Sequence, residues 1–284
     1  MQNSTVRNPM NNRVFAWPFA RAVVVLVLSL APSTATGQTT RPWDPPRTAD
    51  GKPDLEGVWE PEMGGSYSIE DTGLQGIQQI GQAAVRRGPS RVVDPADGKI
   101  PYQPWARARQ QDIYDNHLNP KPEHLDPVSR CFLGGVVREF YRLTAYQILQ
   151  TPGEIVIQYE NGHAYRVITM GGRPHISDKI QLWMGDSRGR WEGNTLVVDT
   201  TNFNGKAWFD IVGNFQSDGL HVVERFTRVT PDKIAYEATI EDPKIYTRPW
   251  KVALSIVRVK EPGYELIEEA CVEGNHDPEL LLRR

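Results

Sequence analysis

Glu154-Ile155-Val156-Ile157-Gln158-Tyr159-Glu160-Asn161-Gly162-His163-Ala164-Tyr165-Arg166-Val167-Ile168-Thr169-Met170 decides the fold class. Ile155, Ile157 and Tyr159 alternate with Glu154, Gln158 and Glu160, the period of a strand with one buried face. Asn161-Gly162 then leads into a second run, Ala164–Met170. An Asn-Gly between two such runs is a strong hairpin signal, because both residues tolerate positive φ. Further strands are predicted at Arg190–Trp191, Thr195–Asn202, Leu220–Val229, Lys233–Glu241, Trp250–Val259 and Tyr264–Val272, with turns at Gly193-Asn194 and Pro231-Asp232. Short strands at regular spacing, with few helical periods between them, read as a mainly β, antiparallel up-and-down barrel of about eight strands. A two-sheet sandwich is the alternative.

Upstream the texture differs. Gly57-Val58-Trp59 sits in a first short strand and resembles the strand that opens lipocalin-type barrels. Residues 61–145 read as an irregular, partly helical insertion, with helices expected around Leu74–Arg87 and Trp105–Tyr114. The prolines from Asn119 to Pro127 exclude a central strand or long helix there. Residues 38–54 form a proline-rich leader, and residues 55–284 are expected to be a single barrel domain carrying the insertion.

Residues 1–37 have the layout of a secretory signal peptide. Arg7, Arg13 and Arg21 give a basic start, an apolar run follows at 22–31, and Ala35-Thr36-Gly37 resembles a cleavage site. The apolar run is about half of the roughly 20 residues needed to span a bilayer. A periplasmic or secreted location is therefore expected, without stable membrane insertion. In an oxidising compartment the two cysteines, Cys131 and Cys271, are expected to pair.

Charge and motifs narrow the function classes. The chain of 284 residues carries a formal net charge of −3, which argues against nucleic-acid binding. Two cysteines without a Cys-x-x-Cys pair, and no His-Glu-x-x-His, phosphate loop or Gly-x-Gly-x-x-Gly after a strand, leave no metal or cofactor expected. Gly185-Asp186-Ser187 is followed by Arg188, unlike Gly-Asp-Ser-Leu esterases.

The stretch Trp183-Met184-Gly185-Asp186-Ser187-Arg188-Gly189-Arg190-Trp191-Glu192-Gly193-Asn194-Thr195-Leu196-Val197-Val198-Asp199-Thr200 resembles the signature of a set of exported, mostly uncharacterised bacterial proteins. Their pattern runs Gly-Asp-Ser-x-Gly-Arg-Trp-Glu-Gly-Asp-Thr-Leu-Val-Val-Asp-Thr, and this chain departs from the family at Asn194, where Asp is usual, and at Gly171, where Asp commonly precedes the Gly-Arg. Gly172-Arg173-Pro174-His175, Leu220-His221 and Glu241-Asp242-Pro243 also match. The resemblance implies export and a small calycin-like barrel, and it transfers no activity.

Site candidates come from the residues themselves. His175 is expected in a loop at a barrel mouth, with Asp186 orienting it or serving as the acid. His221 and Arg225, four apart on one strand, face the same way, and Glu224 faces the other; which face is interior stays open. Asp242 is either an acid–base group or a turn former before Pro243. Arg166 and Tyr236 share parity with core residues, and Arg166 is expected to pair with Asp199 or Asp242. Trp191 and Trp250 offer aromatic faces to a ligand. His175, Asp186 and Trp191 are expected to share a cavity with His221 or Asp242. Three readings follow: a barrel binding a small, partly apolar, hydroxylated or anionic molecule; a cofactor-free acid–base enzyme (lyase, hydratase or isomerase) using His175, Asp186, His221 and Asp242; or an envelope structural or interaction module. Oligomeric state is not legible.

Overall fold

Alternate burial along each strand gives the wall its inner and outer faces, and the order of the strands closes it. The structure is a computed structural model that describes residues 43–65, 67–72, 89–116, 119–272, 275–276, 279 and 282. The expected signal peptide and the helix at Leu74–Arg87 lie outside the described residues. The strands are β1 (Gly57–Pro61), β2 (Val92–Asp94), β3 (Tyr146–Gln150), β4 (Glu154–Tyr159), β5 (Tyr165–Thr169), β6 (Asp186–Glu192), β7 (Thr195–Thr201), β8 (His221–Thr230), β9 (Lys233–Glu241) and β10 (Trp250–Arg258). The helix α1 spans Pro104–Asn116.

β1 and β3 through β10 pair in sequence order, and β10 pairs back onto β1 to close the barrel. Two expectations need correction. Nine strands close, not about eight, and the barrel is mixed, because β5 and β6 run parallel where Ile168 faces Ser187 and Thr169 faces Arg188. A parallel neighbour demands a crossover, so the chain from Met170 to Gly185 returns along the outside of the wall. That crossover carries His175. Gly189 permits the close β5–β6 approach: a Cβ there would lie 2.7 Å from Ile168 Cγ2 and collide with the Met170 sulphur. The strand expected at Tyr264–Val272 is absent. Both sides of β10 are already occupied, by β9 on one and by β1 and β2 on the other, leaving that segment no edge to join.

Hydrophobic alternation fills the interior. Ile155, Ile157, Ile168, Leu196, Val198, Val222, Phe226, Ile234, Ala238 and Ile240 are all buried. The insertion closes one end by sending Phe140 into the barrel. Its ring lies 4.9 Å from Tyr236, 5.2 Å from Phe226, 5.3 Å from Tyr146 and 5.7 Å from Tyr159. At the other end two cations approach Trp59, with Arg258 4.3 Å and Arg228 5.7 Å from its ring centroid.

An ion pair crosses the middle of this interior. Arg166 donates to Glu224 Oε1 at 3.0 Å, to Ser187 Oγ and to Thr200 Oγ1 at 2.9 Å each, and it also contacts Glu224 Oε2. The Tyr236 hydroxyl completes the cluster by donating to Glu224 Oε1 at 2.9 Å. The expected partners of Arg166 are therefore corrected. Asp199 points outward from β7, and Asp242 accepts from Ser217 N and Oγ at 2.7 and 2.8 Å. Inward parity on β8 belongs to Val222, Glu224 and Phe226, which brings the carboxylate to Arg166.

The cap over the Phe140 end holds a second buried acid. Asp210 accepts from Ile69 N at 2.7 Å, Asn214 N at 3.0 Å and Asn214 Nδ2 at 2.6 Å. Burial nevertheless pushes its pKa up to about 7, against those hydrogen bonds and the nearby Arg138. The unfolded carboxyl ionises near pH 4, so between about pH 4 and 7 the folded state binds more protons than the unfolded state. The stability Asp210 supports is complete below about pH 4 and falls as pH rises towards 7. Urea midpoints for wild type and Asp210→Asn measured across this range should diverge, with wild type losing more stability than the variant as pH rises. Parallel curves would contradict the assignment.

Candidate functional site

The outer wall over β6, β7 and β8 gathers charged groups that alternation turns away from the core. Asp186 and Arg188 on β6, Asp199 on β7 and His221 on β8 all point outward, and Glu241 on β9 lies directly opposite His221. The crossover brings His175 down onto them. His175 Nδ1 is 2.8 Å from Asp186 Oδ2, and Nε2 is 3.0 Å from Asp199 Oδ1. The second Asp199 oxygen lies 3.0 Å from His221 Nε2. One carboxylate thus spans two imidazoles. Asp186 is held in turn by Arg188 at 2.8 Å and by the Ile176 amide at 3.2 Å.

The chemistry of this chain of contacts is asymmetric. Both nitrogens of His175 face carboxylate oxygens, which a ring with a proton on each nitrogen satisfies fully and a neutral ring only once. His221 differs, since its Nδ1 lies 3.8 Å from Glu241 Oε2, beyond hydrogen-bond length. It is the ring nitrogen of the pair with room for a further partner. Burial would raise the pKa of Asp199, yet hydrogen bonds from His221 and His175 hold it below the usual carboxylate range. This is an oriented Asp–His arrangement on a partly exposed wall.

The structure separates the remaining candidates. His175, Asp186 and His221 come together, through Asp199. Trp191 is five residues along β6 from Asp186, roughly 17 Å of strand, and has the opposite parity. Asp242 closes the β9 end and holds the Ser217 turn. Arg225 lies outside and pairs with Glu192 at 3.0 Å. Tyr236 is fully buried in the Glu224 cluster, and Trp250 is fully buried with Phe209 and Tyr246 edge-on at 5.6 and 5.4 Å. Cys131 and Cys271 form the expected disulfide, with Cα atoms 5.6 Å apart. Asp199, Glu224 and Glu241 were not singled out as site residues from sequence. The signal for Asp199 was its odd position on a strand whose even positions, Leu196 and Val198, are core.

Trp191 borders a cleft of about 340 Å³ at the barrel rim, between the leader and the ends of β4, β5 and β6. Ile155, Met170 and Trp191 give it an apolar floor, and Asp50, Lys52, Gln150 and Arg190 a polar rim. Arg190 is paired with Glu192 at 2.8 Å, and Asp50 accepts the Thr48 hydroxyl at 2.5 Å. Lys52 has no ion-pair partner among the described residues.

Among the described residues no helix is long and apolar enough to cross a membrane. No protein-family model and no curated protein matches the chain. Two solved structures show a weak likeness, both crystal structures of the fluorescent protein UnaG. The wild type is 13% identical over 52% of this chain and 87% of its own, with a TM-score of 0.26. A single-residue mutant is 15% identical over 41% of this chain and 72% of its own, with a TM-score of 0.24. Superpositions this loose assign neither a ligand nor a site.

Proposed function

We propose that the protein is an exported small-molecule-binding barrel whose ligand sits in the rim cleft beside Trp191, outside the barrel interior. The observation that carries this reading is the contrast between the two spaces. The interior is occupied by Phe140, its aromatic neighbours and the Arg166–Glu224 pair. The rim cleft sets an indole, a thioether and an isoleucine against a polar margin, the usual composition of a small-ligand site. Lys52 favours a ligand with a carboxylate or several hydroxyls. Export is supported by the basic and apolar segments of residues 1–37 and by the disulfide, which suits an oxidising compartment.

A second reading rests on Asp199, which orients His221 and leaves Nδ1 open for proton transfer in a cofactor-free lyase, hydratase or isomerase. One experiment separates the two. Wild type, Trp191→Ala and His221→Gln are produced in an exporting bacterial host, and mass spectrometry identifies the molecule that co-purifies with each. Binding at the rim predicts that wild type and His221→Gln retain the same unaltered molecule. Trp191→Ala should lose it by about 10-fold or more, as expected for an aromatic contact of about 1.5 kcal/mol. Conversion of that molecule by wild type and not by His221→Gln would favour the enzyme. Retention by all three variants would sink the rim site. The intact mass in the same spectrum reads leader removal, expected near Gly37.

A further inference from the structure

The crossover between β5 and β6 joins the rim cleft to the Asp199 bridge. It leaves β5 at Met170, whose amide donates to Gly153 O at 2.9 Å, and Gly171 and Gly172 then wall the cleft. Both glycines have left-handed φ, 86° and 73°, and a Cβ on either would meet no atom within 4 Å. The hydrogen bonds that tie residues 171–176 to the barrel, among the described residues, all lie just beyond this wall. Arg188 Nε donates to Pro174 O at 2.9 Å, and the Ile176 amide donates to Asp186 Oδ2 at 3.2 Å. The His175 ring spans Asp186 and Asp199 at 2.8 and 3.0 Å. One charged cluster, in place of a backbone ladder, therefore fastens the segment.

The groups facing His175 are Asp186 and Arg188 on β6, Asp199 on β7, His221 on β8 behind Asp199, and Glu241 on β9 beside His221. Arg173, Asp178 and Lys179, the crossover's own charged residues, are exposed. Both tethers of His175 are hydrogen bonds only while its ring carries two protons. Loss of one proton leaves a nitrogen lone pair against a carboxylate oxygen at 2.8 or 3.0 Å, a repulsive contact. His221 does not share this dependence, because a neutral ring can still donate from Nε2 to Asp199. Histidine is the side chain whose charge ordinarily changes between about pH 5 and 8, and none lines the rim cleft.

We propose that His175 is a proton-operated latch: doubly protonated, it clamps the crossover to β6 and β7 and fixes the Gly171–Gly172 wall of the rim cleft; on losing a proton it frees both. The test uses the ligand-free, full-length protein, so its outcome is independent of what the cleft binds. Hydrogen exchange of the Ile176 amide is measured by NMR at about pH 5.5 and 8, each rate corrected for the intrinsic rate and referred to amides of β7 and β8. Protection in wild type should fall about 10-fold at the higher pH, the scale of one charge-assisted hydrogen bond. The fluorine signal of 5-fluorotryptophan at Trp191, across the cleft from the glycines, should shift with the same midpoint. The variants should move in opposite directions. His175→Gln should be open at both pH values. Asp199→Asn offers an amide N–H to the deprotonated ring nitrogen and should be closed at both. His221→Gln should keep the wild-type step. The proposal is overturned if wild type shows no step, if the Trp191 signal does not follow it, if the step survives in His175→Gln or Asp199→Asn, or if it is lost in His221→Gln.

Discussion

Glu224→Ala is expected to destabilise the barrel by about 3–5 kcal/mol, the range for removing one partner of a buried ion pair. Arg166 would keep Ser187 Oγ and Thr200 Oγ1 but lose the carboxylate that pairs with it, deep among Phe140, Phe226 and Tyr236. The Tyr236 hydroxyl would lose its acceptor as well. The cost arises from the uncompensated guanidinium and not from the pair itself. Joint replacement by apolar residues, Arg166→Met with Glu224→Leu, should therefore recover most of the loss. Urea denaturation of the single and double variants measures both effects. A single-variant loss below about 1 kcal/mol, typical of an exposed pair, would show that water reaches this cluster and that the interior is not filled as described.

Removing the disulfide should have the other large effect. Cys131 in the insertion and Cys271 beyond β10 are 140 residues apart, and closing a loop of that length is worth about 5 kcal/mol in the chain-entropy account. The bridge ties together two segments that the sheet does not hold, since neither cysteine lies in a strand. Cys131→Ser with Cys271→Ser is expected to lower the urea midpoint strongly while the far-ultraviolet signature of the barrel persists at low denaturant. Residues 264–269, which precede the bridge and contact Glu160 and Gly162, should then become sensitive to protease while β6 to β9 stay protected. Equal stability of the oxidised and doubly substituted proteins would contradict this role.

The parts of the fold legible in sequence were those with one wet face. Lys233–Glu241 was read with its observed bounds because Ile234, Tyr236, Ala238 and Ile240 keep a strict alternation. The turn at Asn161-Gly162 joins β4 to β5 as read, with Gly162 at φ 64°. The parallel β5–β6 pair was illegible because its register depends on where a long crossover lands, and no local pattern encodes that. On β8 neither face is apolar: His221, Val223 and Arg225 alternate with Val222, Glu224 and Phe226. Only the position of Arg166 on a distant strand decides between them. The Asp199 bridge was hidden for a related reason. Its two histidines come from a crossover and from the neighbouring strand, so their meeting is a property of the closed wall.

A ligand held at the Trp191 rim, and not in the barrel interior, changes the surroundings of Trp191 and leaves the buried indoles as they are. Fluorine NMR of the protein labelled with 5-fluorotryptophan, with signals assigned by single Trp→Phe variants, tests it most directly. The protein is titrated with 4-hydroxyphenylacetate, a small hydroxylated anion with an apolar ring. Binding at the rim gives a saturable shift of the Trp191 signal, with Trp59 and Trp250 unmoved. A Trp191 signal that stays fixed throughout, with or without movement of Trp59 or Trp250, would contradict it.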